Sequence, residues 1–255
     1  MNQKPERDPK AMVAPLKNLK GRVSFSRVSL RYSNDADPAL VGVSFDVEPG
    51  EVVAVTGRNG SGKSTIIKLM MGLYAPQAGS VRIDNSDMRQ IDPLELRHAI
   101  GYVPQVCNLF FGTIAQNLRL AQPTATESDI RWACELADVW DEIMALPRGM
   151  DTRVGDSNID HLPTSFVQKL SLARCYLKRS SLMLFDEPVN GLDFEGDRQF
   201  MQAVEFFRGQ STIFMVTHRP SHLRFADKIL VFDGGYLRLA GPADEVRARI
   251  PPDLI

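Results

Sequence analysis

The sequence predicts an α/β fold built around a parallel sheet, and three observations carry that reading. Short apolar runs stopped by turn residues, "EVVAVTG", "SLMLFDE" and "STIFMVTH", are separated by segments of helical spacing. That alternation is expected when strands lie parallel and helices cross between them. The first run leads into "GRNGSGKST" and then into an apolar-faced helix, giving a strand, a glycine turn and a helix in succession. Near the end, "KILVFDGGYLRLAG" reads as two short strands about an Asp-Gly-Gly turn, which is a hairpin signal.

With 255 residues, 44% apolar and 24% charged, the chain is long enough for one sizeable core or two small ones and predicts a soluble globular protein. The formal charge of -1 includes no large block of one sign beyond the mildly basic "KNLKGR", so no nucleic-acid partner is expected. Cys107, Cys134 and Cys175 fit neither a metal knuckle nor a disulfide framework. They predict a reducing compartment and small core side chains. The polar start predicts no secretory signal, and no apolar run approaches the roughly 18 residues of a membrane span.

Residues 1–20, rich in Lys, Pro and Asn, read as a linker to something further upstream. From Gly21, "RVSFSRVSLRYS" alternates apolar and polar residues, as "ALVGVSFDV" does less regularly; both predict strands. After the glycine turn, Ile66, Ile67, Leu69, Met70 and Leu73 cover one side of a helix that "APQAG" ends. From about 106 to 179 the character changes. "GTIAQNLRLA" and "SDIRWACELADVWDEIMAL" show helical spacing, with Ser128 as the expected cap, and predict a mainly helical insertion. A further helix is expected from Phe194 to Arg208, and a short one over "PADEVRARI".

"GRNGSGKST", Gly57 to Thr65, contains the pattern G-x-x-x-x-G-K-[ST]; a chance match in a chain this long is on the order of 1%. Gly57, Gly60 and Gly62 let the backbone turn tightly, so that successive N–H groups through Asn59, Gly60, Ser61 and Gly62 converge on a phosphate. The following helix N-terminus, Lys63, Ser64 and Thr65, favours an anion. Lys63 supplies a point charge to the β- and γ-phosphate oxygens, and the Ser64 hydroxyl is placed for Mg²⁺.

"LMLFDE" ends a strand in two carboxylates, Asp186 and Glu187. Successive strand residues point opposite ways, so Asp186 is expected to hold Mg²⁺ through a water while Glu187 faces the attacking water as general base. His218 closes another apolar strand and is a candidate for holding the γ-phosphate and orienting that water. Gln105, in "IGYVPQ", sits where strand gives way to the helical insertion. Contact between it and Mg²⁺ or the water would couple nucleotide state to movement of the insertion.

The ordered set "LRYS", "GRNGSGKST", "YVPQ", "LFFGTIAQNL", "TRVGDS", "LSLARCYL", "LMLFDEP", "NGLD" and "VTHR" resembles the nucleotide-binding domain of ABC transporters of the exporter type, from about Gly21 to Pro251. The resemblance implies a P-loop (RecA-like) core with a parallel sheet and an N-terminal antiparallel β subdomain over 21–105 and 180–255, with a helical subdomain inserted over 106–179. It implies ATP and Mg²⁺ as cofactors and an ATPase that powers export through ATP-driven dimerisation. The implied partners are a second nucleotide-binding domain, of the same or another chain, and a membrane domain joined through 1–20. The implied place is the cytoplasmic face of the membrane, the inner membrane in a bacterium.

Carried over residue by residue, Tyr32 would stack on adenine; Ser64, Gln105 and Asp186 would hold Mg²⁺; and Asp193 of "NGLD" would lie near the partner's site. "LFFGTI" and "TRVGDS" resemble segments beside the coupling helices of exporter membrane domains, and "ERDP" with these segments resembles type I secretion exporters. Two alternatives stay open: a regulatory ATP-binding module with little turnover, and a soluble non-transport ABC ATPase.

One motif departs from the family. There, the ATP of one domain is closed over by the turn "LSGGQ" of the other. In "DHLPTSFVQKLSLARCYL" the matching positions are Leu162, Pro163, Thr164, Ser165 and Phe166, and only the leucine agrees. Pro163 removes a hydroxyl and an N–H donor, while Thr164 and Ser165 add side chains where close backbone approach is wanted. Ser165 and Gln168 form S-x-x-Q, which predicts a capping box opening the helix. Either the hydroxyls of Thr164 and Ser165 replace part of the lost contact, or capping occupies Ser165 and the contact is weak.

Overall fold

The computed structural model describes residues 19–33, 35–155, 162–251 and 254. The expected linker up to residue 18, the end of "TRVGDS" at Asp156 and Ser157, and Asp160 and His161 lie outside the described residues. The fold is α/β with one parallel-stranded sheet and one antiparallel sheet, as predicted. The chain divides into two compact units: unit 1 is Met1–Ile100, Ser181–Leu184 and Arg208–Ile255, and unit 2 is Gly101–Ser180 and Phe185–Phe207.

Unit 1 begins with β1 (Val23–Leu30), β2 (Leu40–Val47), β3 (Val52–Gly57), α1 (Lys63–Met70), β4 (Ala78–Ile83), β5 (Ser86–Asp87) and α2 (Pro93–Ala99). Four of these strands form an antiparallel sheet in the order β2-β1-β4-β5. The buried residues of β1 are Val23, Phe25, Val28 and Leu30, so the alternation slips once. A bulge causes the slip: Phe25 is registered with Phe45 and Val28 with Val43, and between them Arg27 takes φ 49° and donates its N–H to Ser44 Oγ at 2.8 Å. The extra residue resets the phase so that both halves of the strand bury one face.

In α1, Ile66, Ile67, Leu69 and Met70 are buried as the spacing predicts, but Leu73 is not on that face. Gly72, at φ 66°, ends the helix: its N–H reaches Leu69 O at 2.9 Å and the Leu73 N–H reaches Lys68 O at 3.0 Å. This closure satisfies the last carbonyls and sends Leu73 outward.

The chain then forms β6 (Ile100–Val103), β7 (Gly112–Thr113), α3 (Ile114–Arg119), α4 (Glu127–Leu136), α5 (Trp140–Met144), β8 (Arg153–Val154) and α6 (Thr164–Leu177). The cap of α4 is Thr126 rather than Ser128: Thr126 Oγ1 accepts from the Asp129 N–H at 3.2 Å, and Asp129 accepts from the Thr126 N–H at 3.1 Å. Ser128 already lies in the first helical turn. Lys169 of α6 donates to Asp138 at 2.8 Å and to Glu142 of α5 at 2.7 Å. Cys134 and Cys175 are buried free thiols, whereas Cys107 is half-buried and donates to Pro104 O.

β9 (Leu182–Asp186) leads from unit 1 into unit 2 and is followed by α7 (Phe194–Phe207). Unit 1 is completed by β10 (Thr212–Val216), α8 (Pro220–Phe225), β11 (Lys228–Asp233), β12 (Tyr236–Pro242) and α9 (Ala243–Arg247). Its strands run in the order β12-β11-β3-β10-β9, with β11 and β12 forming the predicted antiparallel pair. β3 pairs in parallel with β11 on one side and β10 on the other and is buried throughout, which is why its sequence is an unbroken apolar run rather than an alternating one. Among the described residues no helix is long and apolar enough to cross a membrane.

Candidate functional site

In unit 1 the site begins where β3 leaves the sheet. Gly57 has φ 133°, and a Cβ there would lie 1.9 Å from the carbonyl oxygen of Phe232 on β11. Only glycine lets the backbone turn out at this point. Gly62, at φ 101°, is the N-cap of α1 and offers no side-chain cap, so the first-turn N–H groups of the helix, with their positive end, face the loop. The loop is closed internally by the Ser61 N–H on Arg58 O at 3.2 Å and the Thr65 N–H on Gly62 O at 3.1 Å. Asn59 and Gly60 form its exposed crest. A Cβ at Gly60 would meet nothing within 4 Å, so that side is open.

The Lys63 ammonium folds back over the loop and donates to Gly57 O at 2.6 Å and Arg58 O at 2.8 Å. Ser61 and Thr65 are buried and Ser64 is half-buried. Tyr32 is tied to the same helix, its hydroxyl 3.0 Å from Thr65 Oγ1. Its ring meets Tyr74 edge-on at 5.0 Å, with Lys68 Nζ at 5.4 Å from the ring centre, and stays 44% exposed. His218 follows β10. Val216 is registered with Val55 and the Thr217 N–H donates to Val55 O at 3.0 Å, so the chain leaves β10 level with the start of the phosphate loop.

In unit 2, Asp186 ends β9 and is buried. Glu187 follows in a left-handed conformation, φ 51°, with its carbonyl accepting from the Asn190 N–H at 3.1 Å. A non-glycine residue held there stores strain of order 1–3 kcal/mol, a cost met mainly at functional positions. Its Oε2 accepts from the Gln105 amide at 3.1 Å, so these two predicted residues meet directly. The Tyr102 phenol is pushed up to about 12 by burial and, less, by the charge of Asp186.

The predicted capping box does not form. Pro163, at φ -54° and ψ 141°, takes the N-cap of α6 with no side-chain cap, and Ser165 is already the second helical residue. Gln168 is buried and donates its amide to Pro188 O at 2.6 Å instead of reaching back as a cap. Ser165 is therefore not occupied by capping. Thr164 is exposed, Leu162 half-buried, and Thr164 Cγ2 lies 3.4 Å from where a Cβ on Gly191 would stand. The methyl that the altered turn adds therefore stands on the side of the "NGLD" glycine where a side chain would project. Asp193 caps α7, its Oδ1 accepting from the Gly196 N–H at 2.8 Å.

Sequence reasoning gave Gln168 a capping role it does not have and missed two further participants. Gln168 is polar among the buried residues of α6, and that misfit was its signal. Thr217 and His222, whose Oγ1 and Nδ1 are 2.9 Å apart, gave no pattern in the sequence.

A glycine-built backbone cradle at a helix N-terminus, fed by a buried parallel strand, defines the class of phosphate-loop nucleotide-binding proteins. Within that class the chain belongs to the ABC transporter family, whose description residues 40–190 match. It is 35% identical over 237 residues to the β-(1→2)glucan export ATP-binding/permease protein NdvA of Brucella suis, covering 93% of this chain and 39% of that protein. It is 34% identical over 233 residues to the ATP-dependent lipid A-core flippase of Thiobacillus denitrificans, covering 91% and 40%. A solved structure of a bacterial Atm1-family ABC exporter with ATP bound is similar at TM-score 0.86 and 31% identity, covering 96% of this chain and 44% of that one. The chain spans about two fifths of the length of these two curated relatives.

Proposed function

We propose that this chain is the ATP-hydrolysing domain of an exporter, working at the cytoplasmic face of a membrane with a second nucleotide-binding domain and a membrane-spanning part. The observation that carries the reading is the phosphate loop, with Gly57 forced by Phe232 O and Lys63 held over the loop rim. The export names of the relatives support the transport half of it.

ATP fits the chain's own groups. The open side at Gly60 and the uncapped helix start at Gly62 suit an anion, and Lys63 would exchange its two loop carbonyls for phosphate oxygens. Tyr32 would stack on the adenine. Mg²⁺, bound with the nucleotide, would neutralise phosphate charge, held by Ser64 with Asp186 and Gln105. Glu187 would take the proton of the attacking water, while His218 would hold the γ-phosphate and orient that water. Leu162, Pro163, Thr164 and Ser165 would face the partner's ATP, and Asp193 would lie near it. With an identical partner both sites would carry the altered turn; with a different chain whose turn is intact, a single site would.

The test is ATP turnover by the complete transporter in lipid. Glu187→Gln is expected to abolish turnover, keep ATP bound and prolong the ATP-held dimer, and Lys63→Ala to weaken ATP binding. Wild-type turnover in Glu187→Gln, or absence of any ATP-dependent pairing in it, would overturn the reading.

A further inference from the structure

We infer that the buried pair Thr217–His222 positions His218, a role that rests on reading His218 as the residue facing the γ-phosphate. His222, on α8, is fully buried, and its Nδ1 lies 2.9 Å from Thr217 Oγ1. The same oxygen accepts the Arg219 N–H at 3.1 Å. Thr217 is itself pinned, since its N–H donates to Val55 O at 3.0 Å, two residues before Gly57. One hydroxyl thus closes a ring across His218, joining the residue before it to the residue after it.

A threonine side chain has three staggered positions, and only one aims its oxygen at the Arg219 N–H. The imidazole selects that position, because a hydroxyl has a proton and two lone pairs and serves both neighbours at once. The ring is fixed in turn by its burial and by α8, where the His222 N–H donates to Arg219 O at 3.1 Å and the Ala226 N–H to His222 O at 3.1 Å. Phosphoryl transfer relies on placement, and a displacement of about 1 Å can cost ~100-fold. A buried histidine away from the phosphate loop therefore sets where His218 stands.

The experiment measures kcat, KM and ATP affinity in the complete transporter. Thr217→Val and His222→Phe are each expected to lower kcat about tenfold and to leave ATP affinity within about twofold. Thr217→Ser and His222→Asn, which retain a hydroxyl and a nearby hydrogen-bonding atom, should keep most of kcat. The double variant Thr217→Val/His222→Phe should be no slower than either single one, since both act through one hydroxyl. Neither change should add to the loss in His218→Ala. Wild-type kcat in Thr217→Val and His222→Phe, beside a large loss in His218→Ala, would overturn the inference alone; independent, additive losses would do the same. Wild-type kcat in His218→Ala would overturn the reading beneath it. If His222→Phe does not fold, the Thr217→Val and Thr217→Ser pair decides.

Discussion

The side-chain amide of Gln168 donates to the carbonyl oxygen of Pro188 at 2.6 Å, and the bond is buried. It joins the helix that follows the altered turn to the residue immediately after Glu187, whose φ of 51° must be held in place. Gln168→Leu removes the donor and leaves a buried carbonyl unsatisfied, at about 1–3 kcal/mol. We expect a lower urea midpoint and a lower kcat with nearly unchanged ATP affinity. Gln168→Glu should be worse on both counts, because it sets a carboxylate against a carbonyl oxygen. Equal turnover in wild type and Gln168→Leu would show that Glu187 does not depend on this bond.

The altered turn makes a separate prediction. Ser165 is not taken up by capping, and the exposed Thr164 lies on the side of Gly191 where a side chain would project. The triple change Pro163→Ser, Thr164→Gly, Ser165→Gly restores the family's turn, and each charge-assisted hydrogen bond regained contributes roughly 1.5–3 kcal/mol. Steady-state ATP turnover is expected to rise by about tenfold or more, with the gain at the partner's site. An unchanged or lower rate would mean that Thr164 and Ser165 already make the contact, and that the turn is rebuilt rather than weakened.

Gly57→Ala tests the cradle directly. The new Cβ would stand 1.9 Å from Phe232 O, a backbone atom of a neighbouring strand, at a φ of 133° that L-residues rarely adopt. Loop and strand cannot both keep their places. ATP affinity should fall by more than about tenfold and thermal stability should drop together with it. Retained ATP affinity would show that the loop tolerates a shift this large.

Local chemistry was legible in the sequence because it is written in contiguous residues. "GRNGSGKST" specifies its own turn, and the unbroken apolar run of β3 follows from parallel neighbours on both sides. What escaped depends on long-range partners. The bulge at Arg27 needs Ser44 on the next strand, and the end of α1 at Gly72 overrides an apolar spacing that continues to Leu73. The S-x-x-Q pattern at Ser165 misled because Gln168 has a stronger partner at Pro188, distant in sequence and buried beside it. Likewise the contact of Gln105 with Glu187 spans a separation no local pattern reports.

Tyr176 offers a stability prediction that does not touch the site. Its ring is buried in unit 2 against Phe207, with centroids 5.6 Å apart, and its hydroxyl has no hydrogen-bond partner among the described residues. Burial raises its pKa well above the usual value, so it remains a neutral phenol at any working pH. A buried hydroxyl without a partner costs about 1–3 kcal/mol relative to its hydrated state in the unfolded chain, whereas the ring's apolar burial is favourable with or without the oxygen. Tyr176→Phe therefore removes the penalty and keeps the packing, leaving only a gap the size of one oxygen. The expected gain of about 1 kcal/mol corresponds to a rise of roughly 2–4 °C in Tm for a chain of this size, read by thermal unfolding with ATP turnover unchanged. A fall in Tm would mean that the lost oxygen leaves a cavity costlier than the unsatisfied hydroxyl.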